Sequence, residues 1–198
     1  MKLKKAAAIL MAAAMTASLA ACGSSSSGEN SSGSSAGSDG TYTIGICQQM
    51  EHPALDAATE GFQDACKEKF GEDNVEFDVQ NAQGEQTMCS TIINNFVSSD
   101  VDLILANATL PLQTAAQATA DIPILGTSVT DFASALGISD WTGATGVNIS
   151  GTCDLAPIEE QEDMLTELLP EAKTVGILYC SAESNSQYQA ELSQAELE

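Results

Sequence analysis

Between Thr41 and Gly126 the chain alternates short continuous apolar runs with longer periodic segments. The runs are Tyr42–Cys47, Val75–Val79, Val101–Ala106 and Ile122–Leu125. Unbroken apolar runs of this length predict strands covered on both faces, because a strand with one wet face would alternate. Between the first two, Leu55, Ala58, Phe62, Ala65, Cys66 and Phe70 recur at helical spacing, which predicts a helix over Pro53–Phe70. Met88, Cys89, Ile92, Ile93, Phe96 and Val97 make the same stripe between the second and third. Pro or Gly punctuates both starts. The order β-α-β-α-β-α-β predicts an α/β fold with a doubly wound parallel sheet.

A second opening echoes the first: Thr174-Val175-Gly176-Ile177 nearly repeats Thr43-Ile44-Gly45-Ile46. It predicts another strand, ending at Cys180, after a helix from Pro157 to Leu169 and a stop at Pro170. A polar helix follows from about Asn185. Two similar lobes are implied, the first over 41–145, with a hinge and the start of the second over 146–198. One strand cannot make a sheet, so the second lobe is expected to be incomplete and the chain a fragment of a longer protein.

The patterning before Thr41 is of another kind. Lys2, Lys4 and Lys5 precede a stretch without charge from Ala6 to Ala21, which ends in Leu19-Ala20-Ala21-Cys22. A basic start, an apolar run shorter than a membrane span and a small-residue cleavage site predict a signal peptide over 1–21. Cys22 is then expected to become the lipidated first residue of the mature protein. From Gly23 to Gly40 the chain is mostly Ser and Gly, which cannot bury enough apolar surface to offset its ordering entropy. Residues 22–40 thus read as a lipidated tether, which places the folded part on the extracytoplasmic face of the cell membrane.

Charge narrows the partners. The whole sequence carries 6 Lys and Arg against 28 Asp and Glu, a formal net charge of −22, and the signal removes half of the lysines and none of the acids. Nucleic acid is excluded as a partner, because phosphate contacts require basic residues in numbers this surface lacks. Anionic lipid would repel it as well, leaving the acyl chains as the means of membrane attachment. Cys47, Cys66, Cys89, Cys153 and Cys180 show no CxxC spacing, so neither a zinc site nor a regular disulfide framework fits. They read as reduced thiols, Cys66 and Cys89 on apolar helix faces and Cys47 and Cys180 at strand ends. No metal or cofactor is expected.

In open parallel sheets ligands sit beyond the carboxyl ends of the strands. The corresponding loops here are small and polar: Gln48 to Pro53, with His52, after the first strand; Asn107 and Thr109 after the third; Thr127, Ser128 and Asp131 after the fourth. Glu183, Ser184 and Asn185 take the same place in the second lobe. Each loop leads into a helix whose free N–H groups suit an anion. Taken singly, these residues serve as readily as N-caps, and His52, the only histidine, is as readily a cap or a surface residue as a ligand contact. Trp141 suits either a cleft wall or packing between lobes. From Thr41 onward there is no GxSxG, no HExxH and no GxxxxGK[ST], and the single His has no base–nucleophile partner, so an enzyme is not expected.

Ile44-Gly45-Ile46-Cys47-Gln48 followed by Glu51-His52-Pro53-Ala54-Leu55-Asp56-Ala57 resembles the opening of substrate-binding lipoproteins of ABC importers, of the tryptophan/tyrosine-binding type. The likeness continues in order through Asn107-Ala108-Thr109, Pro123 to Asp131, Asp154 to Gln161 and Glu183-Ser184-Asn185-Ser186. It implies a periplasmic-binding-protein-like type I architecture of two lobes that close on an amino acid, often aromatic, and deliver it to a membrane permease. On that reading the ligand's carboxylate meets N–H groups and hydroxyls at Thr109, Thr127, Ser128 or Ser184. Asp131 or Glu183 takes its ammonium, His52, Pro53, Asn107 and Asn185 complete the candidate site, and closure turns about Ala144–Pro157. Two alternatives stay open: an anchored sensory binding module, and a two-lobed racemase using Cys47 and Cys180.

Overall fold

The computed structural model describes residues 40–198. The signal segment, Cys22 and nearly all of the tether lie outside the described residues. Five strands, β1 Tyr42–Gln48, β2 Val75–Asn81, β3 Leu103–Asn107, β4 Ile124–Val129 and β5 Ile149–Cys153, form one sheet in the order β2-β1-β3-β4-β5. Every pair is parallel. Winding proceeds one way from β1 to β2 and the other way from β3 onward, so the topological switch point falls between β1 and β3.

Both faces are covered, as the continuous apolar runs require. Helix α1, Pro53–Phe70, packs Cys66 and Phe62 against Ile44, Ile46 and Leu105. Helices α2 (Gln86–Ser98), α3 (Thr109–Ala118) and α4 (Phe132–Leu136) cover the opposite face, burying Cys89, Ile93, Phe96, Leu112 and Phe132 against Cys47, Ile104, Ala106 and Ile124. Local chemistry sets the limits of α1. His52 caps its start, Pro53 fills the first position where no N–H is needed, and Asp56 lies in the first turn. Lys67 and Lys69 occupy the last turn, opposite the negative end of the helix dipole. A single 3-10 turn at Glu72–Asn74 then delivers the chain into β2.

Gly45 in mid-β1 is needed for close approach. A Cβ there would lie 2.6 Å from Phe96 Cγ, so the absence of a side chain lets α2 seat its ring on the sheet. The five cysteines of the described residues are free thiols, Cys47, Cys66 and Cys89 buried and Cys153 and Cys180 exposed.

The structure departs from the sequence pattern in two places. Residues read as hinge, Asn148 to Cys153, include β5, of which only Ile149 is buried. Gly151 passes so close to β4 that a Cβ would collide with Gly126 O. This edge strand is specified by backbone proximity, which leaves no hydrophobic run to read. The strand expected from Thr174 to Cys180 does not form: residues 173–180 pair with nothing among the described residues, and Val175, Ile177, Leu178 and Tyr179 are exposed, Leu178 fully. Apolar side chains mark the segment as strand-like, but a ladder also requires a neighbour for its N–H and C=O groups. Helices α5 (Ile158–Leu168) and α6 (Ser184–Leu197) follow the predicted ranges closely and pack on each other, with Ser193 Oγ donating to Glu162 Oε1 at 2.5 Å.

Candidate functional site

Gln48 and Asn107 stand in register at the carboxyl ends of β1 and β3, beside the switch point. Both are buried, and both are spent on internal bonds. Asn107 Nδ2 donates to Leu55 O at 2.8 Å and to Thr59 Oγ1 at 2.9 Å. Thr59 Oγ1 donates onward to Gln48 Oε1 at 2.7 Å, and Gln48 Nε2 donates to Met50 O at 2.8 Å and Asp56 Oδ1 at 2.6 Å. The network fastens the first turns of α1 to the strand ends. Asn107 Oδ1 alone has no hydrogen-bond partner among the described residues, although it is buried. The backbone beside it is equally fixed, with Gln49 N donating to Asn107 O at 3.1 Å and Gly84 N to Gln49 O at 2.8 Å.

The ends of β3 and β4 are strained. Ala108 sits at φ 102 and Ser128 at φ 54, conformations a side chain disfavours. Ser128 belongs to a bulge: the β4–β5 pairing passes from Gly126↔Gly151 to Val129↔Cys153, so Thr127 and Ser128 together oppose one residue of β5. Bulges of this kind re-aim side chains at strand ends. Ala108 N donates to Thr127 O at 2.9 Å, which locks the two irregular segments together.

The helix starts divide into two groups. His52 Nδ1 accepts from Ala54 N at 3.2 Å, and Asp131 Oδ1 accepts from Ser134 N at 2.6 Å, so both residues are N-caps. Pro53 fills the first position of α1 and supplies no N–H. By contrast, and like α2 and α5, α3, beginning at the buried Thr109, and α6, beginning at Ser184, have no side-chain cap. Their first N–H groups keep the partial positive charge of an open helix start.

These two open starts are brought together. Gln113 Nε2, one turn into α3, donates to Ser184 Oγ at 3.1 Å and to Ala135 O at 3.0 Å, tying α3, α4 and α6 at one point. Gln49 Nε2 donates to Glu183 Oε1 at 3.1 Å across the same gap. Ser186 Oγ accepts from Cys180 N at 2.9 Å, which folds the approach to α6 onto its first turn. Glu183 is half-buried and has no cation partner among the described residues. Of the residues the sequence singles out, Glu183, Ser184 and Asn185 are thereby placed opposite the rim that carries Asn107, Thr109, Thr127 and Ser128. His52, Pro53 and Asp131 are at that rim but engaged in helix starts. Gln49, although within the loop read from Gln48 to Pro53, and Gln113, which follows the Asn107-Ala108-Thr109 match, were not singled out as site residues, and nor was Thr59.

Trp141 lines a hollow of about 420 Å³ with Phe132, Val147 and Cys153 beside edge strand β5, away from the strand ends. A concavity of about 780 Å³ lies between α5 and α6 and is lined by Leu165, Leu169, Val175, Ile177 and Ala190 together with Lys173, Gln187, Glu191 and Gln194. Among the described residues no cluster of His, Cys, Asp and Glu could hold a metal ion.

A parallel sheet wound both ways from its first strand, with helices on both faces, has the architecture of a periplasmic-binding-protein type I lobe. The chain belongs to the family described as ABC transporter substrate binding protein, which matches residues 43–198. It is 41% identical over 150 residues to the "Tyrosine-binding protein" of Clostridioides difficile (strain R20291), covering 75% of this chain and 43% of that protein. Among solved structures it is similar to an ABC domain in complex with L-Trp from Streptococcus pneumonia, with a TM-score of 0.73 and 33% identity over 79% of this chain and 53% of that one. It is also similar to the ligand-free, open structure of a substrate binding protein with adhesive properties from Clostridium difficile, with a TM-score of 0.63 and 38% identity over 78% and 53%. The chain thus spans about half the length of these relatives. The two clostridial relatives are named as binding proteins. Cys47 is fully buried against Cys89, whereas the racemase alternative requires a thiol open to a substrate.

Proposed function

We propose that the full-length protein is the lipid-anchored, extracytoplasmic binding component of an ABC importer, and that it captures a zwitterionic amino acid, aromatic in the first instance, between two lobes. The observation that carries this is the pairing of two uncapped helix starts, α3 and α6, with a half-buried carboxylate, Glu183, between them and the strand ends. An amino acid presents the complementary charges. Its carboxylate suits the free N–H groups and hydroxyls at Thr109, Thr127, Ser128 and Ser184, where helix dipoles favour an anion. Its ammonium suits Glu183 in preference to Asp131, whose carboxylate already caps α4. Asn107 and Asn185 flank the two sides, and closure turns about the segment from Ala144 to Pro157, which includes edge strand β5. The names of the tyrosine-binding and L-Trp-complexed relatives support the aromatic preference.

Calorimetric titration of the full-length protein with the common amino acids tests this reading. Saturable binding of tyrosine or tryptophan is expected, and binding of none of the amino acids overturns it. The anchor is tested separately: Cys22→Ala should move the protein from the membrane fraction to the soluble one, and unchanged partition would remove lipidation at Cys22.

A further inference from the structure

Gln49 is held in an unusual way. Its N–H is bonded to Asn107 O at 3.1 Å and its C=O to Gly84 N at 2.8 Å, so its backbone is pinned between the ends of β3 and the turn after β2. From that fixed base the side-chain amide reaches Glu183 Oε1 at 3.1 Å. An amide has two faces: with Nε2 donating to the carboxylate, Oε1 stays an acceptor next to the anion it orients. Glu183 Oε2 is an acceptor as well, with no partner among the described residues. Two acceptors, Gln49 Oε1 and Glu183 Oε2, thus stand beside the one side-chain bond that joins the two residues.

From this geometry we infer that Gln49 is a specificity-determining residue: with Glu183 it forms a receptor for a primary ammonium group, which distinguishes amino acids from acids of the same shape that lack the amine. The inference rests on the amino-acid reading above. A primary ammonium carries three N–H donors and can bond Glu183 and Gln49 Oε1 together, whereas a des-amino acid or a sugar hydroxyl cannot satisfy both. Gln113 does the complementary work on the other open helix start. By donating to Ser184 Oγ and Ala135 O it holds α6 in the position from which Glu183 meets Gln49. The selectivity arises in steps: the strand-end hydrogen bonds fix Gln49, Gln49 fixes the carboxylate, and the carboxylate selects the amine.

The test compares the full-length wild-type protein with Gln49→Met, which keeps length and volume and removes both polar atoms. Titrations use tyrosine and its des-amino analogue 3-(4-hydroxyphenyl)propionate. Loss of a hydrogen bond to a charged group is expected to weaken tyrosine binding about tenfold or more and leave analogue binding unchanged. Gln49→Lys should go further, because its own ammonium would occupy Glu183; tyrosine binding is then lost and the analogue is bound at least as well as by wild type. Equal losses for both ligands in Gln49→Met would mean a merely structural role and overturn the inference, as would unchanged tyrosine affinity. A wild-type protein that binds no amino acid would instead overturn the underlying reading, so the two failures are distinguishable.

Discussion

The Sγ atoms of Cys47 on β1 and Cys89 on α2 lie 3.7 Å apart, both fully buried, and Cys89 Sγ also reaches Thr114 Oγ1 at 3.4 Å. Thr114 passes its own hydroxyl proton to Leu110 O at 2.8 Å, so a chain of bonds runs from the sheet through two helices. The thiols do not ionise alike. The hydrogen bond from Cys47 draws Cys89 down to about 7, whereas the bond to Cys89 and then burial push Cys47 well above the usual thiol range. Burial raises Cys66 too, with Lys69 opposing. A thiol whose folded pKa lies above its unfolded one stabilises the fold below the unfolded pKa and loses that contribution as pH rises. Stability is therefore expected to fall above about pH 9, the ordinary thiol range, with a slope of up to ~1.4 kcal/mol per pH unit for each such group. Urea unfolding from pH 8 to 11 measures it. Cys47→Ala should flatten the alkaline limb, and an unchanged limb would assign the loss to other groups.

Close approach of Phe96 makes position 45 of β1 intolerant of a side chain. The ring is trapped between Gly45 and the rest of the α2 core, so a methyl at 2.6 Å must displace the helix. Gly45→Ala is expected to cost about 1–3 kcal/mol, the usual range for overpacking. The double variant Gly45→Ala/Phe96→Leu should recover part of that loss, because the smaller side chain admits the methyl. Thermal unfolding of the three proteins decides it, and additive losses in the double variant would refute a direct clash.

How much of this was legible in the sequence depends on what held each element. Strands β1 to β4 and helices α1 and α2 were readable because side-chain burial specifies them, and burial writes a pattern. Strand β5 was not, because Gly151 lies against Gly126 O and a backbone contact leaves no apolar run. Thr174–Cys180 shows the reverse, a strand-like pattern without a pairing neighbour. At the candidate site, the loops of small polar residues lie at the carboxyl ends of the strands, where this topology collects such loops. The individual roles were less visible. Asn107 is committed to internal bonds, His52 and Asp131 to caps, and the cross-gap contacts fall to Gln49 and Gln113, whose partners, 134 and 71 residues away along the chain, a linear sequence does not reveal.

His52 separates capping from ligand contact by experiment. Its Nδ1 accepts from Ala54 N and its ring is exposed. His52→Ala is therefore expected to cost about 0.5–1 kcal/mol of stability, the scale of a lost cap, while ligand affinity in the full-length protein stays within about twofold. His52→Asn, which restores an acceptor at the cap, should regain the stability. A large loss of affinity in both variants, with stability intact, would make His52 a ligand contact instead.

Asn107 is the residue whose replacement should matter most to the strand ends. Its amide supplies donors to Leu55 O and Thr59 Oγ1, so Asn107→Leu removes both bonds and leaves the buried Thr59 hydroxyl without a donor, at about 1–3 kcal/mol in all. Asn107→Asp adds a sign that a packing defect cannot imitate. A carboxylate there would face the same two acceptors and would be buried without a cation, so its pKa must rise above that of an exposed Asp. By linkage, an acid raised in the folded state is best tolerated when protonated and grows more damaging as pH climbs through its unfolded pKa near 4. The stability gap between wild type and Asn107→Asp is thus expected to widen from pH 4 to 7, while the gap for Asn107→Leu stays constant. Urea unfolding at both pH values measures the two gaps, and a pH-independent Asn107→Asp gap would show that the side chain escapes to solvent and that the Leu55 and Thr59 bonds do not hold α1 to the sheet.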